Sequence, residues 1–431
     1  MDLILPLSFI MLIITIICYQ LSDKDIIAPL FLLPFSFTCS SFLVIPYSEL
    51  WDLHIGIKSF LFIIASIVAY CFGCKTVINS YSDDSSPKIG FREIQIDNNF
   101  VISVSIFLSF LLYQSFNELL QLSIELGNTS GYSQMIHTVR YKIEDNSIIM
   151  PRSMEYRLLT AQVICYYFLY IFFNNMFFSS NLRKQLIFLV PVIIYIPFTV
   201  LTTGRMHMLF LLIYCVVVMA FFYQNINGKN FKTHIRFLSI LSVFILLFLI
   251  MFFLMGLLTG KSIIANRSLF MIISHYGGLS IPALDKLLDT SILENGYIGD
   301  KTLLGVFGFL RRFITVPEPK VLNFTEFRGI DTNVYTALGR YFYDYGFCMS
   351  IAMMFFIGLV YSEGYRRLNT YFDRKKLMVF AAYSYPLICF YQDEWFLMSV
   401  FTIRFVYFVV LLYFFDFITN NFFKEKSQLN D

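Results

Sequence analysis

Apolar runs of membrane-crossing length recur along this chain from Leu3 to Ile418, and one long polar stretch, Lys261 to Tyr345, interrupts them late. Hydrocarbon offers a peptide group no hydrogen-bond partner, so only helices or closed barrels cross it. Runs of about 20 apolar residues select helices. The candidates are Leu3–Tyr19, Ile26–Tyr47, Ile55–Cys74, Phe100–Leu120, Leu158–Phe178, Gln185–Thr202, Met206–Tyr223, Phe237–Leu258, Phe347–Tyr361, Leu377–Tyr391 and Trp395–Ile418. About 11 spans, within a range of about 10–12, make this an all-α polytopic integral membrane protein. The apolar run 185–223 is too long for one crossing, so Thr202-Thr203-Gly204-Arg205 must turn it into a helical hairpin.

Composition agrees. Only 14% of the residues are charged and 58% are hydrophobic, against about 25% charged in soluble domains. The 51 Phe and 28 Tyr suit lipid-facing surfaces and interfacial belts. A net charge of +3 without a basic, aromatic-interleaved cluster argues against nucleic acid. The Cys residues fall almost entirely within spans, and the two long polar loops hold none, which argues against a disulfide framework. Cys71-x-x-Cys74 lacks a second Cys pair or a His and reads as two buried small hydrophobes. Met1-Asp2 followed by Leu3–Tyr19 lacks a basic n-region and a small-residue cleavage site, and reads as a span that stays.

Short-loop Lys and Arg set the expected orientation. Lys75, Lys88, Arg92, Arg183, Lys184, Lys229, Lys232, Arg236, Arg366, Arg367, Arg374–Lys376, Lys424 and Lys426 share one side, which is expected to be cytoplasmic. The N-terminus then lies outside, the C-terminus inside, and two polar loops face outward. The expected organisation is 1–258 as spans with an outer loop at 121–157, 259–346 as the large outer loop, and 347–431 as the last spans and a short tail. Within the large loop, Ser268–Asp289 and Thr302–Ile314 read as short amphipathic helices lying along the bilayer surface. Pro317, Pro319 and Arg328-Gly329-Ile330-Asp331 mark turns.

The polar residues that can carry chemistry concentrate at this outer face. Arg205 stands at the hairpin turn with no carboxylate nearby in sequence, either as a snorkelling anchor or as a guanidinium available to a phosphate. The run Phe327–Gly346 holds Arg328, Asp331, Asn333, Tyr335, Thr336, Arg340 and Asp344. It reads either as an interfacial aromatic belt or as a phosphate- and sugar-binding constellation with a carboxylate base. Arg311-Arg312 can hold a lipid diphosphate or touch anionic headgroups. His275 is either a hydrogen-bonded structural residue or an acid–base group. Arg404 is an intramembrane charge expected to face the interior and pair with Asp393 or Glu394. Arg140, Arg152 and Arg157 make the first outer loop basic, which hints at an anionic substrate. No phosphate-cradling Gly loop, HExxH, GxSxG or His/Cys ligand cluster is present, so no cofactor is expected and any donor must carry its own leaving group.

Thr203-Gly204-Arg205 opening an apolar span, and Asn333-Val-Tyr-Thr336 followed by Asp344-Tyr-Gly346 at the end of the large loop, resemble bacterial O-antigen polymerases, the Wzy-type oligosaccharide repeat-unit polymerases. The overall architecture of spans and outer loops is similar along essentially the whole chain. Arg267 to Gly278 and Arg328 to Gly339 match the Arg-x10-Gly spacing of some members. The resemblance implies a GT-C-like bundle in a bacterial inner membrane. Its substrates would be undecaprenyl-diphosphate-linked oligosaccharides, joined at the periplasmic face, with a chain-length regulator and a flippase as partners. It also implies that Arg205, Arg311 or Arg312, and Arg340 stabilise the diphosphate, and that Asp331, Asp344 or His275 is the base. Arg267, Arg328, Asn333, Tyr335 and Thr336 would assist binding. The related O-antigen ligase and a lipid-linked-oligosaccharide flippase are the rival expectations.

Overall fold

The computed structural model describes residues 3–79, 92–144, 148, 150–179, 181–202, 206–258, 268–289, 298–311, 313–315 and 324–420. Helices α1 (Ile4–Leu21), α2 (Pro29–Val44), α3 (Ile57–Asn79) and α4 (Asn98–Glu125) come first. The short α5 (Met135–Glu144) precedes α6 (Arg152–Phe178). A short α7 (Leu182–Gln185) and a tight turn lead into α8 (Val190–Leu201), α9 (Met206–Asn227) and α10 (Phe231–Leu258). Three short helices follow: α11 (Leu269–Gly278), α12 (Ser280–Asp289) and α13 (Leu304–Leu310). A small hairpin of β1 (Thr325–Phe327) and β2 (Ile330–Thr332) precedes α14 (Thr336–Thr370). The chain ends with α15 (Arg374–Ala382), α16 (Tyr385–Ile388), α17 (Phe396–Val400) and α18 (Ile403–Asn420).

Among the described residues, ten helical segments are long and apolar enough to cross a membrane. The protein is therefore a helical multi-pass membrane protein, with one fewer full-length helix than the sequence count. The difference lies at Leu377–Tyr391, which is split into α15 and α16. Pro386 follows directly on the break and has no N–H to continue the ladder. The expected span Trp395–Ile418 is likewise divided at Phe401-Thr402, where the Thr402 hydroxyl accepts from Phe405 N–H, 3.2 Å. Broken helices survive at membrane depth only inside protein. Leu377, Met378, Ala381, Ala382, Leu387 and Phe390 are accordingly buried, and α15 and α16 pack among α2, α6, α9, α14 and α18.

The closest helix pair is α3 with α14. A Cβ on Gly73 would lie 2.1 Å from Phe355 O, and one on Gly358 2.3 Å from Tyr70 O. The two backbones thus touch, the packing available to small residues where apolar burial gives no drive. Gly346, with φ of +70°, then breaks α14 between its first turns and its long apolar part.

Polar ties fix both ends of the bundle. At one end, which carries many of the short-loop Lys and Arg, buried Asp25 accepts from Lys229 Nζ (2.6 Å) and Tyr365 OH (2.5 Å). Arg374 Nε meets buried Asp416 at 2.7 Å. At the opposite, loop-bearing end, the stretch read as an amphipathic surface helix is two helices packed on the bundle, α12 nearly all buried and α11 with Leu269 and Phe270 exposed. Helix α11 packs on α2, and α12 sits among α3, α11 and α14. The Asp285 carboxylate of α12 accepts from Gly56 N–H (2.8 Å) and Ser59 Oγ (2.5 Å) at the start of α3. Those bonds supply polar partners at a helix start, and they turn an amphipathic helix inward. The hairpin is a small departure from an all-α chain, with its turn at the predicted Arg328-Gly329.

The α3–α14 contact gives a direct test. Gly358→Ala is expected to destabilise the purified protein by about 1–3 kcal/mol, read as a lower thermal transition. Gly364→Ala, at a position with open space around it, is expected to leave the transition unchanged or raise it.

Candidate functional site

The site residues expected from the sequence do not all meet in one place. Arg205, Arg267 and Arg312 lie outside the described residues. A second group occupies the hairpin and its neighbours. Arg328 is exposed, and its N–H donates to Trp51 O, 3.2 Å. Asp331 is exposed and sits opposite Glu326 in the strand register. Asn333 is half-buried, and Tyr335 is buried with its hydroxyl 2.6 Å from Thr325 Oγ1. Thr336 is buried at a positive φ of 52°. Elsewhere, His275 is half-buried on α11, and Arg311 is half-buried at the end of α13.

The third group, Arg340 and Asp344, forms one network. Arg340 grips Asp393 through two nitrogens, Nε at 2.5 Å and Nη2 at 2.9 Å, and its Nη1 donates to Lys301 O at 3.2 Å. Asp344 accepts from Lys301 N–H (3.1 Å) and Thr302 Oγ1 (2.6 Å). The fork of Arg340 is thus directed at protein oxygens. That makes it a strut joining α14, the 300–302 turn and the 393–394 linker, in place of the expected diphosphate grip. Asp393 is one of the two partners, with Glu394, that the sequence offers Arg404.

Glu394 completes this linker. It is fully buried and accepts from Tyr341 OH (2.9 Å), Leu397 N–H (2.7 Å) and Met398 N–H (2.9 Å). Burial pushes its carboxyl up to about 7, although these three donors pull the other way.

Arg404 lies at the start of α18 with its side chain 58% exposed, and it pairs with Glu155 of α6 at 2.6 Å. This corrects its expected interior placement. A single contact through Nη2 replaces the two-point grip of Arg340. Two cavities meet at this pair. The first, of about 420 Å³, lies between α6, the α8–α9 turn, the α16–α17 linker and α17; Gln162, Thr202, His207, Tyr385, Trp395 and Ser399 line it. The second, of about 350 Å³, lies between the start of α6 and α13, with Arg152, Tyr156 and Gly305 in its wall. Met150, Glu155, Met398, Thr402 and Arg404 line both.

Tyr156 also lines a third space, an apolar groove of about 610 Å³ between α4, α6 and α18. Its walls run from Phe100 to Leu111 on α4 and from Tyr407 to Ile418 on α18, each about 16 Å along the helix. Arg157 stands among its lining residues and is tied to Glu118 and to Ser115 Oγ, 2.9 Å. Three guanidiniums, Arg152, Arg157 and Arg404, therefore line these neighbouring spaces, with Arg157 paired to Glu118 and Arg404 to Glu155.

No known protein family, curated protein or solved structure matches the chain.

Sequence reading found part of this site. The basic first loop flagged Arg152 and Arg157, and Arg404 was noted as a charge within an apolar run. Glu155, His207 and Trp395 carried no local signal, because their neighbours in space come from distant spans. Thr202 and Met206, which flank the predicted turn containing Arg205, both line the first cavity.

Two measurements follow. Asp393→Ala leaves the Arg340 guanidinium without its ion-pair partner in a site where both side chains are under one-fifth exposed. A loss of about 3–5 kcal/mol of stability is expected, and Arg340→Met with Asp393→Leu is expected to recover much of it. The second is a pH series. A carboxyl held near 7 when folded, against 4.5 when free, leaves no penalty below pH 4.5. Its burial cost grows as pH rises to 7 and then levels off. Glu394→Gln should remove a pH-dependent loss on the order of 3 kcal/mol across that window, read as the difference between the two transition temperature profiles.

Proposed function

We propose that this chain is a membrane glycosyltransferase of the oligosaccharide repeat-unit polymerase type. It would transfer a glycan from a polyprenyl-diphosphate carrier to a second lipid-linked unit. The observation that supports this reading is the adjacency of an apolar groove, three guanidiniums and a polar chamber: Tyr156 lines both the groove and the second cavity, and the Arg404–Glu155 pair lines both cavities. The groove takes the prenyl chain, the guanidiniums take the diphosphate, and the chamber takes sugar. On this reading the bundle is GT-C-like. The loop-bearing end faces the periplasm of a bacterial inner membrane, with the N-terminus outside and the C-terminus inside, as the distribution of basic loops supports.

In the reaction, an acceptor hydroxyl attacks the anomeric carbon of the donor. The new C–O bond forms as the bond to the diphosphate oxygen breaks, and the lipid diphosphate leaves with the electron pair. The guanidiniums stabilise the charge that grows on the leaving group. The hydroxyl proton passes to a base in the wall, for which His207 and Glu155 are better placed than Asp331, Asp344 or His275. The Arg404–Glu155 pair is suited to an exchange in which the diphosphate displaces the carboxylate, freeing it as an acceptor. Enclosure between α6, α13 and α17 limits hydrolysis of the donor.

A transporter for the same lipid is the second reading, favoured by the break between α15 and α16 within the bundle, since discontinuous helices recur in transporters. The glycans of a strain lacking the protein separate the readings. Loss of the polymerase leaves lipid A core capped with single repeats. Loss of a ligase leaves no capping, and loss of a transporter leaves lipid-linked units on the cytoplasmic leaflet. Arg404→Lys and Arg152→Ala are expected to shorten or abolish the ladder, because lysine does not reproduce a two-point phosphate contact. An unchanged ladder in the deletion strain rejects the polymerase.

A further inference from the structure

We propose that Cys18 of α1 and Cys71 of α3 form a modification site, a dithiol that a peroxide converts to a disulfide stapling the two helices together. The pair shares no lining residue with the cavities described above. It does not depend on the reaction assigned to them.

In the fold, the two cysteines of Cys71-x-x-Cys74 have different neighbours. Cys74 is buried, and its thiol donates to Gly358 O of α14 at 3.4 Å. It thus belongs to the close contact between α3 and α14. The Cys71 sulfur instead lies 3.4 Å from that of Cys18, 53 residues away in sequence. Thiols at that distance touch, and among the described residues no other two cysteine sulfurs do so. Each sulfur must travel roughly 0.7 Å to reach the bonded separation of about 2.0 Å, a small turn about its Cα–Cβ bond.

The two thiols differ in access, and the difference assigns their roles. Cys71 is half-buried, whereas Cys18 is 3% exposed. Ile16, Ile17 and Phe72, beside the pair in sequence, are exposed and apolar. A reagent that reaches the pair through such surroundings must be small and uncharged, as hydrogen peroxide is. The Cys71 sulfur attacks one peroxide oxygen. The S–O bond forms as the O–O bond breaks, and the second oxygen leaves as water with the thiol proton. The Cys18 sulfur then attacks the Cys71 sulfur. The S–S bond forms as the S–O bond breaks, and the hydroxyl leaves with the Cys18 proton as a second water. Two thiols lose two electrons, and one peroxide becomes two waters. Contact between the sulfurs makes the second step intramolecular. The bond closes a loop containing α2 and restricts the unfolded chain. On the orientation that the basic loops support, the pair lies toward the cytoplasmic side. Thiols are kept reduced there, and disulfides are transient.

The test uses the full-length protein in lipid nanodiscs, reduced and then freed of reductant. Hydrogen peroxide is raised until Cys39 and Cys348, which are exposed, are oxidised. Free thiols are blocked with N-ethylmaleimide, and the digest is read by mass spectrometry. A peptide linking Cys18 to Cys71 is expected, and dithiothreitol is expected to release it. The thermal transition of the oxidised protein is expected to rise above that of the reduced one. In Cys18→Ser, Cys71 is expected to stop at the sulfenic acid. It should then take up on the order of tenfold more dimedone than in the unsubstituted protein, because no thiol touches it. Oxidation of Cys39 and Cys348 without a Cys18–Cys71 link overturns the proposal, and so does a Cys71–Cys74 link in its place. The linkage is read on the unsubstituted protein, so the result stands whether or not the variant folds.

Discussion

Everything in this molecule depends on the inability of hydrocarbon to bond a peptide group. A helix meets that constraint alone. The broken segment α15–α16 does not, and its interruption around Ser384 requires a sheath of protein around it. Helices α2, α6, α9, α14 and α18 supply that sheath. Tyr383 and Tyr385, on either side of the break, line the larger chamber.

The two guanidiniums at the loop-bearing end differ in how fully the protein holds them. Arg340 is held at two points by Asp393 and at a third by a carbonyl, in a setting where loss of one partner is severe. Arg404 is more than half exposed, has a single contact to Glu155, and lines two cavities. Arg340 stands in polar sequence and Arg404 within an apolar run. What divides them is the number of protein oxygens within reach.

The Asp393-Glu394 pair extends this contrast to carboxylates. Asp393 is neutralised by a guanidinium, whereas its neighbour is enclosed with neutral donors only. One carboxylate therefore locks α14 in place, and the other sets the start of α17 from within. Met398 and Ser399 of α17 face the chamber, so the network acts on the site by fixing the element that lines it. Arg340, Asp344 and Glu394 are positioning residues in this arrangement.

Length and hydropathy alone determined that the chain is a helical multi-pass membrane protein, because each crossing is a local property of about 20 consecutive residues. The turn at Arg328-Gly329 was likewise legible from composition. The inward docking of α12 was not, since an amphipathic stripe fits a bilayer surface or a protein groove equally well, and only Gly56 and Ser59 decided between them. The partners of Arg340 and Arg404 were beyond reach for the same reason. Each lies far away in sequence, at 393 and at 155, and several carboxylates of equal chemistry compete for any guanidinium. Sequence set the character of the spans and their number to within one, and tertiary packing alone decided which charges meet, because pairing across a membrane bundle depends on how the helices are arranged around one another.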